Sequence, residues 1–127
     1  MSLAAIWNVW DGDELLAGSI RQIRDTVDEV IVVSQDVSNY GERYSPTLPT
    51  DTIDTVISYD PVIRQGGAWN ELAKRNLGIE AARVHGHDVV VLMDADEYYD
   101  AGQFRDAYAQ FCAAPTLSYV VVSLATY

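Results

Sequence analysis

Residues 88–100 read DVVVLMDADEYYD, an unbroken apolar run that ends in a cluster of acids. Val89 to Met93 is short and rich in β-branched side chains, which predicts a strand buried on both faces. Asp94, Asp96 and Glu97 follow directly. Side chains alternate along an extended backbone, so Asp94 and Asp96 point the same way wherever the strand conformation persists. Carboxylates this close repel unless positive charge sits between them. Their oxygens suit a hard divalent cation such as magnesium or manganese. The competing reading makes the same acids a solvated strand end and a cap for the next helix. Spacing alone weighs the two equally.

Working outward, the segment before the run predicts a helix from Ala68 to Val84. Trp69, Ala73, Leu77, Ala81 and Val84 form one stripe, widened by Leu72 and Ile79. Asn76 falls on that face and would need hydrogen-bond partners, and Gly86 is a natural stop. After the acids, Phe104, Ala107, Tyr108, Phe111 and Cys112 recur at helical spacing as far as Pro115. Leu117 to Leu124 then reads as a last strand.

At the other end, Leu3 to Trp10 predicts a first strand broken by Asp11, Gly12 and Asp13. Asp11 is the expected N-cap, with Asp13 and Glu14 at the positive end of the helix that follows. Leu16, Ile20, Ile23 and Val27 make that helix amphipathic over about four turns. Val30 to Val33 is a second buried strand, ending at Ser34, Gln35 and Asp36. Periodicity then disappears from Val37 to Thr52, a length of loop that is more often functional than accidental. Thr55 to Tyr59 is a shorter third strand, and Pro61 to Gly67 connect it to the helix at Ala68. This order predicts an α/β sandwich, three layers around a mainly parallel sheet. Ligands of such sheets sit beyond the carboxyl ends of the strands. Asp11, Asp36 and the group from Asp94 to Glu97 all fall at those ends.

Bulk properties narrow the function. A chain of 127 residues suffices for one domain, residues 1–127. Its net charge of −11 argues against nucleic acid or an anionic membrane surface as partner. The one cysteine, Cys112, excludes an internal disulfide and a thiolate cluster, and its place in a helical stripe favours a core thiol over a nucleophile. No run approaches the ~18 apolar residues of a transmembrane segment. No basic-then-apolar leader opens the sequence, so a soluble, cytoplasmic protein is expected.

Three segments together resemble the GT-A type glycosyltransferases, above all the large inverting family 2. WNVWDGDELLAGSI resembles the first strand and turn of that family, and VDEVIVVSQDVSN its second strand with an acidic turn. AKRNLGIEAARVHGHDVVVLMDADEYYD is similar to an Arg-Asn-Leu-Gly helix feeding the Asp-X-Asp strand. The resemblance spans nearly the whole chain. It implies a transferase that takes a nucleotide diphosphate sugar as donor, an acceptor of unspecified nature, and manganese or magnesium as cofactor. Asp96 matches the acid that binds the cation holding the diphosphate, and Asp94 the acid nearer the ribose and the metal. Asp36 matches the acid that recognises base or ribose, Arg75 an arginine near base and phosphates, and Trp10 a residue against the nucleobase.

The departures are specific. The second turn reads Ser34-Gln35-Asp36-Val37-Ser38 where the family has adjacent acids followed by Gly-Ser, so either Asp36 or Ser34 fits the base-recognition role. Asp11 stands where the family has Asn. In the family the acceptor-binding half and the general base come later than this chain extends, which implies a donor-binding half and leaves the base unassigned. A non-catalytic nucleotide-sugar-binding or assembly module is the alternative. A receiver-like signalling domain would need a lysine after its last strand, and the only lysine is Lys74. Lys74, beside Arg75, reads as a solvated helix position in preference to a phosphate contact, with Arg64 as a second cation. A nucleotidyltransferase would need a basic, glycine-rich first turn, and Asp11-Gly12-Asp13-Glu14 would repel a triphosphate. His85 and His87 fall at the opposite end of the sheet from Asp94, where a helix C-terminal interaction is favoured over metal binding. Of Tyr98 and Tyr99, one is expected to pack and the other to form a wet rim.

Overall fold

A computed structural model describes residues 1–121. Four strands, β1 (Leu3–Val9), β2 (Glu29–Ser34), β3 (Thr55–Ser58) and β4 (Val89–Asp94), form one all-parallel sheet in the order β3-β2-β1-β4. Three helices, α1 (Asp13–Ile23), α2 (Gly66–Val84) and α3 (Ala101–Cys112), lie against it. β1 is central, pairing Ala5 with Val30 of β2 on one side and with Val91 of β4 on the other.

Alternation along β1 divides the core in two. Leu3, Ala5, Trp7 and Val9 meet Leu16, Ile20 and Ile23 of α1, and Phe104 and Tyr108 of α3 pack against the same cluster. Ala4 and Ile6 face the other way, with Ile31 and Val33 of β2 and Ala82 of α2. The expected three layers are therefore present: α1 and α3, the sheet, then α2. The long connection after β2 carries an isolated bridge between Val37 and Arg43. It sends Leu48 and Ile53 onto the α1 side.

Several local expectations are corrected. Gly12, in the left-handed region at φ 71°, precedes α1, and no side chain caps that helix; Asp11 does not. α1 also stops at Ile23, with Val27 buried in the turn beyond it. Among the described residues β4 is an edge strand, and Val90 and Leu92 are exposed, so it is not buried on both faces. The strand ends at Asp94 and the chain turns there, Glu97 N–H donating to Asp94 O at 3.1 Å, so Asp96 does not continue the alternation. The cap of α3 is Asp100, which accepts from Gln103 N–H at 2.8 Å. Residues 117–121 form no strand, and the rest of that expected strand lies outside the described residues.

The largest correction concerns α2. Of the predicted core stripe, Trp69, Leu72, Leu77, Ile79 and Val84 are exposed, as is Asn76, while Ala73 and Ala81 are half-buried and Ala81 packs against the core. The buried face is Asn70, Lys74, Gly78 and Ala82. Close approach selects it: a β-carbon on Gly78 would lie 2.4 Å from Ile6 Cγ2. The absence of a side chain at Gly78, with only a methyl at Ala82, lets the helix sit that near the sheet.

Candidate functional site

The order β3-β2-β1-β4 reverses direction at β1, and an open parallel sheet binds ligands beyond its strand ends at such a point. A cleft of about 510 Å3 lies there, within the range of small-molecule sites. β1 supplies Asn8 and, just past its end, Trp10 and Asp11; Gln35 comes from just past the end of β2; α2 supplies Glu71 and Lys74; β4 and its turn supply Asp94 and Asp96. Sheet register explains the convergence, since Asn8 pairs with Asp94 on one side and Val33 on the other. Gln35 N–H donates to Val9 O at 3.0 Å, which seats it beside the end of β1.

Trp10, Asp11, Asp94 and Asp96 all line this cleft. Arg75 reaches the same corner through Asp94, its Nη2 lying 3.3 Å from Oδ1. Asp36 is not brought in: it is exposed, and Gln35 lines the cleft in its stead. Ser34, the other residue considered for base recognition, is buried at the end of β2.

The acidic corner is shaped by its turn. Glu97 Oε2 accepts from Asp94 N–H at 3.2 Å. Burial, with the nearby charges of Asp94 and Asp96, pushes the Glu97 carboxyl above its ordinary range. Asp96 is exposed and makes no hydrogen bond or ion pair among the described residues. No group of three or more His, Cys, Asp or Glu among the described residues could hold a metal ion unaided. A magnesium-type ion is commonly bound through one or two carboxylates and the phosphates of its substrate. The donor set of Asp94 and Asp96 fits that mode.

Three contributors were missed in the sequence. Lys74 was read as solvated, yet it keeps only 5% of its surface and pairs with Glu71 at 2.7 Å. Its place four residues from both Asn70 and Gly78 was the available signal, hidden by the larger apolar stripe. Asn8 is the one polar side chain inside an apolar strand, and Gln35 directly follows another.

The long loop is pinned over the start of α1. Asp13 accepts from the Tyr44 hydroxyl at 2.6 Å and from Thr47 N–H at 2.7 Å. The Tyr44 hydrogen bond holds the Asp13 carboxyl below its ordinary value. Tyr44 in turn meets Trp10 edge-on, ring centroids 6.3 Å apart. Tyr99 packs on Phe104 while Tyr98 is exposed, its hydroxyl donating to Leu15 O at 2.7 Å. At the far end of the sheet, His85 and His87 both meet Glu29.

Comparison of the sequence with protein-family models and with curated proteins returns no match. Among solved structures, the chain is similar to TarS of S. aureus, residues 1–349, a GT-A-like family 2 glycosyltransferase, with a TM-score of 0.57 and 15% identity. The likeness covers 91% of this chain and 33% of the TarS chain, so the chain spans about a third of that structure. At this identity the likeness shows the fold, that of a glycosyltransferase-like domain. No helix among the described residues is long and apolar enough to cross a membrane.

Proposed function

We propose that this chain is the donor-binding part of a glycosyltransferase that moves a sugar from a nucleotide diphosphate to an acceptor. The observation that carries the reading is the meeting of an uncommitted carboxylate, Asp96, with a buried ammonium, Lys74, on one cleft at the strand ends. An anionic ligand in a chain of net charge −11 needs local positive charge. Lys74 supplies it from α2, and manganese or magnesium held by Asp96 and Asp94 would add to it. The TarS-like fold supports the same reading.

Transfer breaks the bond between the anomeric carbon and a diphosphate oxygen, so negative charge grows on the leaving group. Fixed positive groups aimed at that charge lower the barrier. Lys74 is held ready by Glu71, and Arg75 orients Asp94 at the edge of the acidic corner. Trp10 offers an aromatic wall, braced by Tyr44. When bound, the divalent ion supplies Lewis-acid stabilisation of the departing diphosphate. A non-catalytic nucleotide-sugar-binding module would use the same cleft, and the one-third coverage of TarS keeps it as the second reading.

Thermal unfolding with UDP or GDP, with and without manganese, tests the proposal. Stabilisation is expected only when nucleotide and metal are both present, and it should vanish in Asp96→Asn. A response that ignores both the metal and that substitution would sink the reading. Turnover of a nucleotide sugar then separates enzyme from binding module.

A further inference from the structure

Ser19 is the one polar side chain on the buried face of α1, among Leu16, Ile20 and Ile23. It is fully buried. Its hydroxyl accepts from Trp7 Nε1 at 2.9 Å and donates to the main-chain oxygen of Glu97 at 2.6 Å. One bond reaches the central strand β1, and the other reaches the turn that carries Asp94 and Asp96. Satisfying the Trp7 indole uses only the acceptor side of the hydroxyl. The donor side is spent on Glu97. Alanine at this position would favour the helix more, so what the serine adds is the tie itself.

The next residue is fastened to the same turn of α1. The Tyr98 hydroxyl donates to Leu15 O at 2.7 Å, and Gly18 leaves it room, since a β-carbon there would lie 2.7 Å from that hydroxyl oxygen. Gly18 and Ser19 are thus two weak helix formers side by side inside α1, each meeting the segment after the acids. The turn is also closed on itself. Glu97 N–H donates to Asp94 O, and Glu97 Oε2 accepts from Asp94 N–H. Between them Ala95 is buried in the core on the α1 side, while Asp96 is exposed. Asp96 is therefore bracketed by a packed residue before it and an anchored one after it.

We infer that Ser19 is a positioning residue for the acidic corner. By holding Glu97 O, it fixes the turn from which Asp94 and Asp96 present their carboxylates to a divalent ion. The inference rests on the donor-binding reading and extends it to a buried residue that does not line the cleft. Metal ligands must be held to within about 0.5 Å of their working geometry. A turn freed at Glu97 accordingly loses the ion before the chain loses its fold.

Manganese uptake in the presence of UDP, GDP, CDP or ADP, read from loss of the free-ion paramagnetic resonance signal, is the test. With the best-bound nucleotide, Ser19→Ala should weaken the ion about tenfold, the equivalent of one hydrogen bond. Ser19→Thr keeps the hydroxyl and should restore the parent affinity. Ile23→Val trims the buried face of α1 one turn beyond Ser19 and should leave manganese binding unchanged. Should Ser19→Ala not fold, Tyr98→Phe takes its place, removing the second tie at an exposed site, and the same weakening is expected. Parent-like affinity in the variant used would overturn the inference. So would equal weakening by Ile23→Val, or a folded Ser19→Thr that binds no better than Ser19→Ala. A parent chain that takes up no manganese with any of the four nucleotides is a different result, and it removes the donor-binding reading itself.

Discussion

Lys74 Nζ lies 2.7 Å from Glu71 Oε2, the lysine buried and the glutamate 39% exposed. The pair spans one turn of α2, so both groups reach the cleft from the same side. An ammonium has three donors, and one carboxylate oxygen leaves others for an incoming anion. In the proposed site the partner acid would keep the charge in place and compete with an incoming anion for it.

Lys74→Met therefore keeps the buried stem and deletes the charge. Binding of UDP or GDP with manganese should weaken by about 1.5–3 kcal/mol, the worth of a charge-assisted hydrogen bond. The corresponding nucleoside, which lacks phosphate, should be unaffected. Glu71→Gln should act in the opposite direction and tighten the diphosphate. Calorimetric titration of the two variants reads both effects. Equal weakening of nucleoside and nucleotide by Lys74→Met would instead make the lysine a packing residue.

Gly78→Ala tests the seating of α2. Alanine favours a helix over glycine by about 1 kcal/mol, but here its methyl would fall 2.4 Å from Ile6 Cγ2 and 3.4 Å from Val33 Cγ2. Both neighbours are buried. Forcing a methyl into a packed core costs about 1–3 kcal/mol, so net destabilisation is expected in urea unfolding. Leu72→Ala, at a site 60% exposed, should change stability by no more than about 0.5 kcal/mol. The reverse ranking would restore the apolar stripe to the core.

That contrast shows how far the sequence could be read. Apolar runs marked β1, β2, β3 and β4 because a parallel strand needs little more than length and β-branching to declare itself. The Asp94 corner was legible because acids directly follow such a run. The facing of α2 was not: periodicity weighs side chains by size, whereas contact with the sheet was decided by how near the backbone could come, and Gly78 and Ala82 decided that. Lys74 was lost with the face that carries it. Gln35 was hidden differently, since its role depends on hydrogen bonds to Val37 and Asn39 that no local pattern announces.

Asn70 ties the connection before α2 to the helix itself. Its Oδ1 accepts from the Tyr59 hydroxyl at 2.6 Å and from Val62 N–H at 2.8 Å, and its Nδ2 donates to Val62 O at 3.0 Å and Gly66 O at 2.7 Å. It is fully buried. Asn70→Ala leaves these partners unmet in the interior, at a cost of about 2–4 kcal/mol from several lost bonds. Asn70→Asp keeps both acceptors but sets a carboxylate against two carbonyls, so it should not rescue. Unfolding in urea with both variants gives the comparison, and recovery by Asp would mean that only the acceptor side matters.

Glu29 anchors the other end of the sheet, and its effect should depend on pH. Thr55 Oγ1 donates to Oε1 at 2.6 Å, His85 Nδ1 lies 2.9 Å from the same oxygen, and His87 Nε2 meets Oε2. Burial alone would raise this carboxyl, but the hydrogen bonds from Thr55, His87 and His85 outweigh it and hold the group below its ordinary 4.5. A carboxyl depressed by folding stabilises the fold above its unfolded value, and that contribution is lost as pH falls through the folded value. Glu29→Gln should therefore cost about 1–3 kcal/mol at pH 7. The same cost is expected at pH 5.5, and the gap to the parent chain should close as pH drops below 4.5. Urea unfolding at pH 7, 5.5 and 3 would trace that closure. A gap that stays constant down to pH 3 would mean that the geometry of the carboxyl, and not its charge, holds Ser2, His87 and the start of β2 together.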